Sequence, residues 1–345
     1  MPGRWREDLP GSPWRWLLAP AWCAFAPAAE IRRIAYDRGW LAVHRLPAPV
    51  ISVGNLTAGG TGKTPATRLV AELLRELGRK PAVVSRGYRG SDGVNEEAAL
   101  VGDVPVVCDP DRVRGGRTAL AGGADCLVLD DGFQHRRLFR DLDVVLLDAT
   151  RPFGADDGGD GALLPLGYRR ETLPALARAG LVWISRADVV EPERLAALHA
   201  RLDRLLPSGT PRVVSRTGTI RLERLPSDSQ KAEGRAVDPR QGQRPVVLAS
   251  GIGHPAAFET IAGRQLRVLA SRRFPDHHHF TAAEAAELAA WAQKHQADLV
   301  VTSKDAVKLK PFAASNAMTW ILHAEPDLDR SDREQVRSAL ASAIG

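Results

Sequence analysis

Gly59-Gly60-Thr61-Gly62-Lys63-Thr64 is a run of residues fitted to phosphate. Glycines let backbone N–H groups turn inward around phosphate oxygens. A lysine closing the loop supplies a point charge for the β- and γ-phosphates, and the threonine after it can ligate Mg²⁺. In the strict pattern G-x-x-x-x-G-K-[ST] the first glycine falls where Thr57 stands, so the loop is a variant. The residues expected to hold nucleotide are Thr57, Ala58, Gly59, Gly60, Thr61, Gly62, Lys63 and Thr64. Asp130 and Asp131 close an apolar run, the position from which a carboxylate shares Mg²⁺ with a loop threonine. The expected metal set is Thr64 with Asp130 or Asp131. The bland alternatives are a hairpin turn for the glycines and a strand-end turn for Asp130-Asp131-Gly132. The two motifs together favour phosphoryl chemistry.

Three other runs carry reactive or ligand-reading side chains. Gly132-Phe133-Gln134-His135-Arg136-Arg137 follows the Asp pair, at a strand end where ligands bind in open α/β sheets. Gln134, His135 and Arg136 are therefore expected at the acceptor substrate, with Arg136 or Arg137 able to hold phosphate bidentately. Ser85-Arg86-Gly87-Tyr88-Arg89-Gly90 also follows a strand and offers Arg86 as an anion reader; a plain βα turn is the alternative. Phe274-Pro275-Asp276-His277-His278-His279 cannot turn all three histidines one way, which argues against a tri-His metal site. One of them could orient a general base or carry its proton.

The elements that must position these residues are legible as an α/β alternation. Pro49 to Val53, Lys80 to Ser85, Val104 to Cys108, Cys126 to Asp130, Asp143 to Asp148 and Leu181 to Ser185 are short apolar runs, as expected for a parallel sheet covered on both faces. Ala66 to Leu74 and Glu193 to Leu206 have helical periodicity. After a polar stretch, the rhythm resumes with strands at Pro245 to Ala249, Gln265 to Ala270 and Leu299 to Thr302, where the series is expected to close. Helices are expected at Ala256 to Ala262 and at Thr281 to His295, the latter opened by a Thr281–Glu284 capping box. The expected division is 1–45, an apolar membrane-associating segment; 46–225, a P-loop kinase domain; 226–243, a linker or insert; and 244–345, a smaller α/β lobe.

With 345 residues the chain can bury two cores, and its composition, 44% hydrophobic and 26% charged, is that of a folded protein. The net charge of +6 suits an anionic partner. Basic residues are not blocked or interleaved with aromatics, so nucleic acid is not expected among the partners. Cys23, Cys108 and Cys126 make no metal spacing and fit a reducing compartment. Trp14 to Ala29 is apolar and Trp-rich but broken by Arg15, Pro20 and Pro27. It falls short of the ~20 apolar residues of a spanning helix. Two readings stay open for it, a segment lying in a membrane surface and a helix packed on the protein's own core. Export is disfavoured by the nucleotide loop downstream.

Val50 to Pro65, Ser85-Arg86-Gly87-Tyr88, Asp130 to His135, Gly251-Ile252-Gly253, Phe274-Pro275-Asp276-His277-His278 and Ser303-Lys304-Asp305-Ala306-Val307-Lys308 occur in one order along the chain. Together they resemble the tetraacyldisaccharide 4′-kinases, the lipid A kinases of Gram-negative bacteria, from about Pro49 to Lys310. The resemblance implies a P-loop NTPase-type α/β fold with a mostly parallel sheet, a second, smaller α/β lobe, a cleft between them and an N-terminal membrane-associating helix. It also implies ATP and Mg²⁺ as cofactors, and transfer to the 4′-hydroxyl of a lipid-linked glucosamine disaccharide at the cytoplasmic face of the inner membrane; a monomer is expected. The family carries a Gly-Asp-Glu-Pro motif whose Asp resembles the catalytic base. Aligning Pro105 to Arg112 with the segment that follows it puts Asn95-Glu96-Glu97-Ala98 on that motif. Glu96 then becomes the base, oriented by His277. Asp103, nearer the strand, is the other placement. A different function class stays open as well: a regulatory or assembly NTPase, since Ser185-Arg186-Ala187-Asp188 resembles a base-reading loop of GTPases. Acceptor-dependent ATP consumption separates the two.

Overall fold

A computed structural model describes residues 13–59, 61–87, 103–155, 158–225, 244–253, 255–275, 278–312 and 318–345. The chain divides into two units, a larger one of Asp8–Thr217 with Pro326–Gly345 and a smaller one containing Gly218–Glu325.

In the larger unit the apolar runs become strands β1 (Val50–Asn55), β2 (Pro81–Ser85), β3 (Val106–Cys108), β4 (Cys126–Asp130), β5 (Leu142–Asp148) and β6 (Leu181–Ser185), and a further strand, β7 (Arg212–Arg224), starts there. They lie in the order β3-β2-β4-β1-β5-β6-β7, with every registered pair parallel. Every residue of β1, β2, β4, β5 and β6 is buried, as two covered faces require. Along β4 the alternation divides the faces: Cys126 and Val128 join one core cluster, Leu127 and Leu129 another. The first face is covered by α2 (Lys63–Glu76), through Val70, Leu73 and Leu74; the second by α3 (Arg112–Ala121), through Val113 and Ala119. A third cluster, from Leu56 and Phe133 through Val145 and Ile184, is closed by Leu198 and Leu202 of α4 (Pro192–Leu205). Strand β1 sits where successive connections turn to opposite sides of the sheet, with β4 on one flank and β5 on the other, the place where α/β sheets open a crevice for ligands.

The smaller unit holds β8 (Val246–Ser250), β9 (Val268–Arg273), β10 (Asp298–Thr302) and β11 (Thr319–Leu328) in the order β11-β10-β8-β9, all parallel, with β7 beside β11. Helix α5 (Pro255–Gly263) packs Phe258 and Ile261 on one face, and α6 (Ala282–Lys294) packs Leu288 and Ala292 on the other. The Thr281–Glu284 capping box is present. A short α7 (Ser303–Leu309) follows β10.

The strand series does not close at Thr302. Strand β11 follows it, and β7 precedes the polar stretch; β7 mixes polar and apolar residues, and the apolar run of β11 is only Trp320-Ile321-Leu322. The expected grouping of 244–345 differs as well. Helix α8 (Arg330–Ile344) belongs with the larger unit, because Val336 and Leu340 are fully buried in the core that α2 covers. Residues 226–243, expected as a linker, lie outside the described residues.

At the N-terminus, a 3₁₀ turn (Pro13–Leu18) leads into α1 (Ala19–Asp37). Pro20 occupies the first turn, where its missing N–H costs nothing, and the helix continues through Pro27 rather than breaking there. Ala35 is the one residue of α1 that is buried, whereas Trp16, Leu17, Phe25 and Ile31 are exposed. Packing on the protein's own core therefore does not account for this apolar surface. No helix among the described residues is long and apolar enough to cross a membrane.

Truncating Leu340 to alanine should lower the unfolding free energy by about 3 kcal/mol, from lost burial and a residual cavity. Urea unfolding of Leu340→Ala would check this; a loss below about 1 kcal/mol would mean that α8 does not complete the core.

Candidate active site

The phosphate loop leaves β1 at Asn55 and is stitched down on both sides. Ala58 N–H donates to the Tyr168 carbonyl at 2.7 Å, and Arg170 N–H donates to the Leu56 carbonyl at 2.9 Å. Thr61 is buried; its hydroxyl accepts from the Asn55 amide at 2.9 Å and its carbonyl from the Ser185 hydroxyl at 3.1 Å. Gly62 caps α2 with φ 85°, a left-handed conformation that a Cβ would penalise. It turns the chain so that Lys63 and Thr64 start the helix. Gly60 lies outside the described residues.

Register sets Asp130 of β4 abreast of Val53 in β1, so the Asp pair emerges beside the loop. The Asp130 carboxylate accepts from the Thr67 hydroxyl of α2 at 2.9 Å. Asp131 has φ 54°, uncommon for a residue with a side chain and a mark of a locally imposed backbone. Its two oxygens each lie 2.7 Å from one guanidinium nitrogen of Arg170, and Lys63 Nζ is 3.6 Å away. Burial alone would raise the Asp131 carboxyl. Lys63 and Arg170 outweigh it and hold the group at about 2, so it is ionised throughout the working range. Because this value lies below that of an unfolded aspartate, the pairing stabilises the fold above the ordinary carboxylate range and fades as pH falls toward 2. Buried Arg112 sends one nitrogen to the Asp130 carbonyl at 3.3 Å and another to the Asp109 carbonyl at 2.8 Å. Lys63 and Arg170 thus face the Asp131 carboxylate with Arg112 on the backbone beside it, an arrangement that can take up further negative charge at the end of β1.

The residues expected at the acceptor have distinct surroundings. Gln134 donates to the Asn55 carbonyl at 2.9 Å and accepts from Arg170 at 3.4 Å, bridging the loop after β1 to the loop after β4. His135 is held neutral: burial and the neighbouring Arg112 push it down to about 4, and its Nε2 is buried without a hydrogen-bond partner. Arg136, expected at a substrate phosphate, is engaged by α1. Its guanidinium faces α1, 2.7 Å from Asp37, 3.0 Å from the Arg33 carbonyl and over the Tyr36 ring, because α1 supplies acceptors directly above it. Arg137 pairs with Asp111 at 3.0 Å. Arg86 is exposed at the end of β2, and Asp103 is exposed before β3. Glu96 and His277 lie outside the described residues. In the smaller unit His278 is stacked on Phe274, faces the edge of Phe280 and lies 3.1 Å from Glu284.

Arg112, Arg170 and Glu171 were not singled out in the sequence. Arg170 sits among Arg169 and Glu171 in a stretch without periodicity, and only tertiary structure brings it to Asp131. Glu171 is buried against Arg178 at 3.0 Å, with that guanidinium over the Phe133 ring at 4.3 Å, which fixes the floor beneath Gly132-Phe133-Gln134.

Thr64, Asp130 and Asp131 present only hard oxygen donors, the chemistry Mg²⁺ selects when phosphate oxygens and water complete its shell. Their side chains fit the ion on that ground.

Residues 14–344 match the family model described as tetraacyldisaccharide-1-P 4′-kinase. A tetraacyldisaccharide 4′-kinase of Anaeromyxobacter dehalogenans (strain 2CP-C) is 44% identical over 340 residues, 91% of this chain and 87% of the relative. That of Chromobacterium violaceum is 37% identical over 335 residues, covering 90% of each. The crystal structure of "apo" form LpxK from Aquifex aeolicus in complex with ATP superposes with a TM-score of 0.70 at 27% identity, covering 96% of this chain and 99% of that one. With the phosphate loop, the Asp pair and nearly the whole length matched, the chain belongs to the tetraacyldisaccharide-1-P 4′-kinase family.

Proposed function

We propose that this protein transfers the γ-phosphoryl group of ATP to the 4′-hydroxyl of a tetraacylated glucosamine disaccharide 1-phosphate, a step of lipid A synthesis. The observation that carries the reading is the pairing of Lys63 and Arg170 with Asp131, with Arg112 on the Asp130 carbonyl, beside the end of β1 in a chain of this family. The loop amides from Thr57 to Thr64 and the Lys63 ammonium bind the nucleotide phosphates. Thr64 with Asp130 or Asp131 holds Mg²⁺, which when bound neutralises charge on the transferred phosphoryl group. Lys63 stands 3.6 Å from Asp131 and exchanges part of that pairing for phosphate oxygens when nucleotide enters. Catalysis rests mainly on positioning and charge stabilisation. Gln134, His135 and Arg86 face the acceptor, whereas Arg136 serves α1. Glu96, oriented by His277, takes the proton of the attacking hydroxyl.

The enzyme acts as a monomer at the cytoplasmic face of the inner membrane. Exposed Trp16, Leu17 and Phe25 support seating in a lipid surface, since they are large apolar side chains on one N-terminal segment.

Radiolabel from γ-labelled ATP should appear in the disaccharide with wild-type protein and fall at least a hundredfold with Lys63→Ala, with the melting temperature little changed. ATP consumption that ignores the acceptor would instead identify a switch NTPase.

Glu96→Gln should lower kcat strongly with ATP binding nearly intact, Glu96→Asp should retain more activity, and Asp103→Asn should do little. An inactive Asp103→Asn beside an active Glu96→Gln would transfer the base role to Asp103.

Deleting residues 1–29 should move the protein from vesicle-bound to free in a sedimentation assay with anionic liposomes. Equal vesicle binding by the deletion would place the lipid contact elsewhere.

A further inference from the structure

Helix α1 is held to the larger unit in an unusual way. With Ala35 its one buried residue, it gains little from apolar packing. Its attachment is polar, and the contacts converge on the active-site loops. Arg32 donates to the Gln134 carbonyl at 3.0 Å. Asp37 and the Arg33 carbonyl take the Arg136 guanidinium at 2.7 and 3.0 Å. Glu30 accepts from the Thr172 hydroxyl at 2.8 Å, two residues beyond Arg170. The chain after α1 grips the far end of the same loop: His44 N–H donates to the Arg137 carbonyl and Phe139 N–H donates to the His44 carbonyl, both at 2.8 Å.

From there the contacts run inward without a gap. Gln134 bonds the Asn55 carbonyl at the mouth of the phosphate loop and the Arg170 guanidinium, and Arg170 holds both oxygens of Asp131, which faces Lys63. The loop from Asp131 to Phe139 carries one buried apolar anchor near its start, Phe133, and another near its end, Leu138. Between those two points Gln134 is tied to Asn55 and Arg170, and Arg137 to Asp111, and the N-terminal segment holds the Gln134 and Arg137 carbonyls and the Arg136 guanidinium.

We propose that residues 30–44 form a clamp that positions the Asp131 loop for phosphoryl transfer, with Asp37 and Glu30 as positioning residues. The inference rests on the kinase reading and deepens it. The N-terminal segment is thereby part of the catalytic architecture and not solely an attachment to lipid. Its exposed apolar side chains Ile31, Trp40, Leu41 and Val43 belong to the same clamp, so seating on a lipid surface restrains the loop that orients Asp131.

The test separates the clamp from lipid attachment by working without membranes. Full-length wild-type, Asp37→Asn and Glu30→Gln proteins, and the double variant, are assayed on a deacylated, water-soluble disaccharide 1-phosphate with ATP and Mg²⁺. Amide hydrogen exchange of residues 134–139 is followed in parallel. The double variant should lose about tenfold in kcat, the scale set by a small misplacement of reacting groups, with KM for ATP within about twofold. Exchange at 134–139 should quicken while that of β5 is unchanged. Asp37→Glu should restore most of the rate, and so should the charge swap Asp37→Arg with Arg136→Asp. Unchanged kcat and exchange in the double variant would overturn the clamp and leave the kinase intact. A parallel loss in kcat and in β5 protection would also overturn it, by showing a general structural role. If wild-type protein labels neither this acceptor nor the acylated one, the kinase reading itself fails, and exchange alone then decides whether the clamp exists.

Discussion

The site depends on one constraint: Asp131 must stay charged inside the protein. Desolvation opposes that charge, and Lys63 and Arg170 overcome it. Holding the carboxylate between them requires a left-handed backbone at Asp131, at a cost of about 1–3 kcal/mol. The next residue must then be glycine, because a Cβ on Gly132 would stand 2.6 Å from the Leu129 Cβ and 2.8 Å from the Ser52 hydroxyl. Strand β4, the phosphate loop and the stretch around Arg170 are locked into one arrangement by that pairing. Each can be unfavourable locally while the combination is stable. The same pairing preorganises cationic charge before any nucleotide arrives, which is where an enzyme of this type gains most of its rate.

The sheet explains how such a charged cluster can exist. Strands buried on both faces carry few polar groups along their length, Ser52 in β1 and Asp143 in β5 among them, and β1, β4, β5 and β6 all end polar: Asn55, Asp130, Asp148 and Ser185. Those ends are cross-linked by side chains. Ser185 reaches the phosphate loop, Asp148 pairs with Arg186, and Thr67 bonds Asp130. The rigidity of the sheet is thus delivered to the groups that must hold still.

Much of this was legible in the sequence because burial leaves a compositional trace. Runs such as Cys126 to Asp130 and Leu181 to Ser185 could belong to nothing but covered strands, and the glycine run and the Asp pair have fixed positions relative to them. What could not be read shares one cause: its energetics are tertiary. Strand β7 sets arginines and hydroxyl residues among its apolar ones, and β11 follows its short Trp320-Ile321-Leu322 run with His323, Glu325 and Asp327. Helix α8 has only two fully buried side chains, too few to mark which core it joins. Arg170 and Arg112 are ordinary arginines until the fold aims them. Arg136 has the right type and spacing for substrate, and its contact with the acidic end of α1 has no trace in the sequence. The prolines of α1 likewise look like breaks, yet one falls in the first turn and the helix continues through the other.

The smaller unit interrupts the larger one in the chain, leaving within β7 and returning within β11. That has a consequence for synthesis on the ribosome. The sheet of the larger unit can assemble once β7 has emerged, but the face covered by α2 remains short of Val336 and Leu340 until α8 is made. Meanwhile the intervening 218–325 segment has all its own strands, β11 included, before α8 begins to appear. Folding as units therefore reverses the order of the chain: the part that starts first finishes last, and apolar surface around Leu73 and Leu74 stays open in the interval. Such a nascent protein exposes a sticky face for the time needed to translate more than a hundred residues, roughly 5–20 s at common elongation rates. It is over that interval, rather than in the finished molecule, that this architecture most needs chaperone protection.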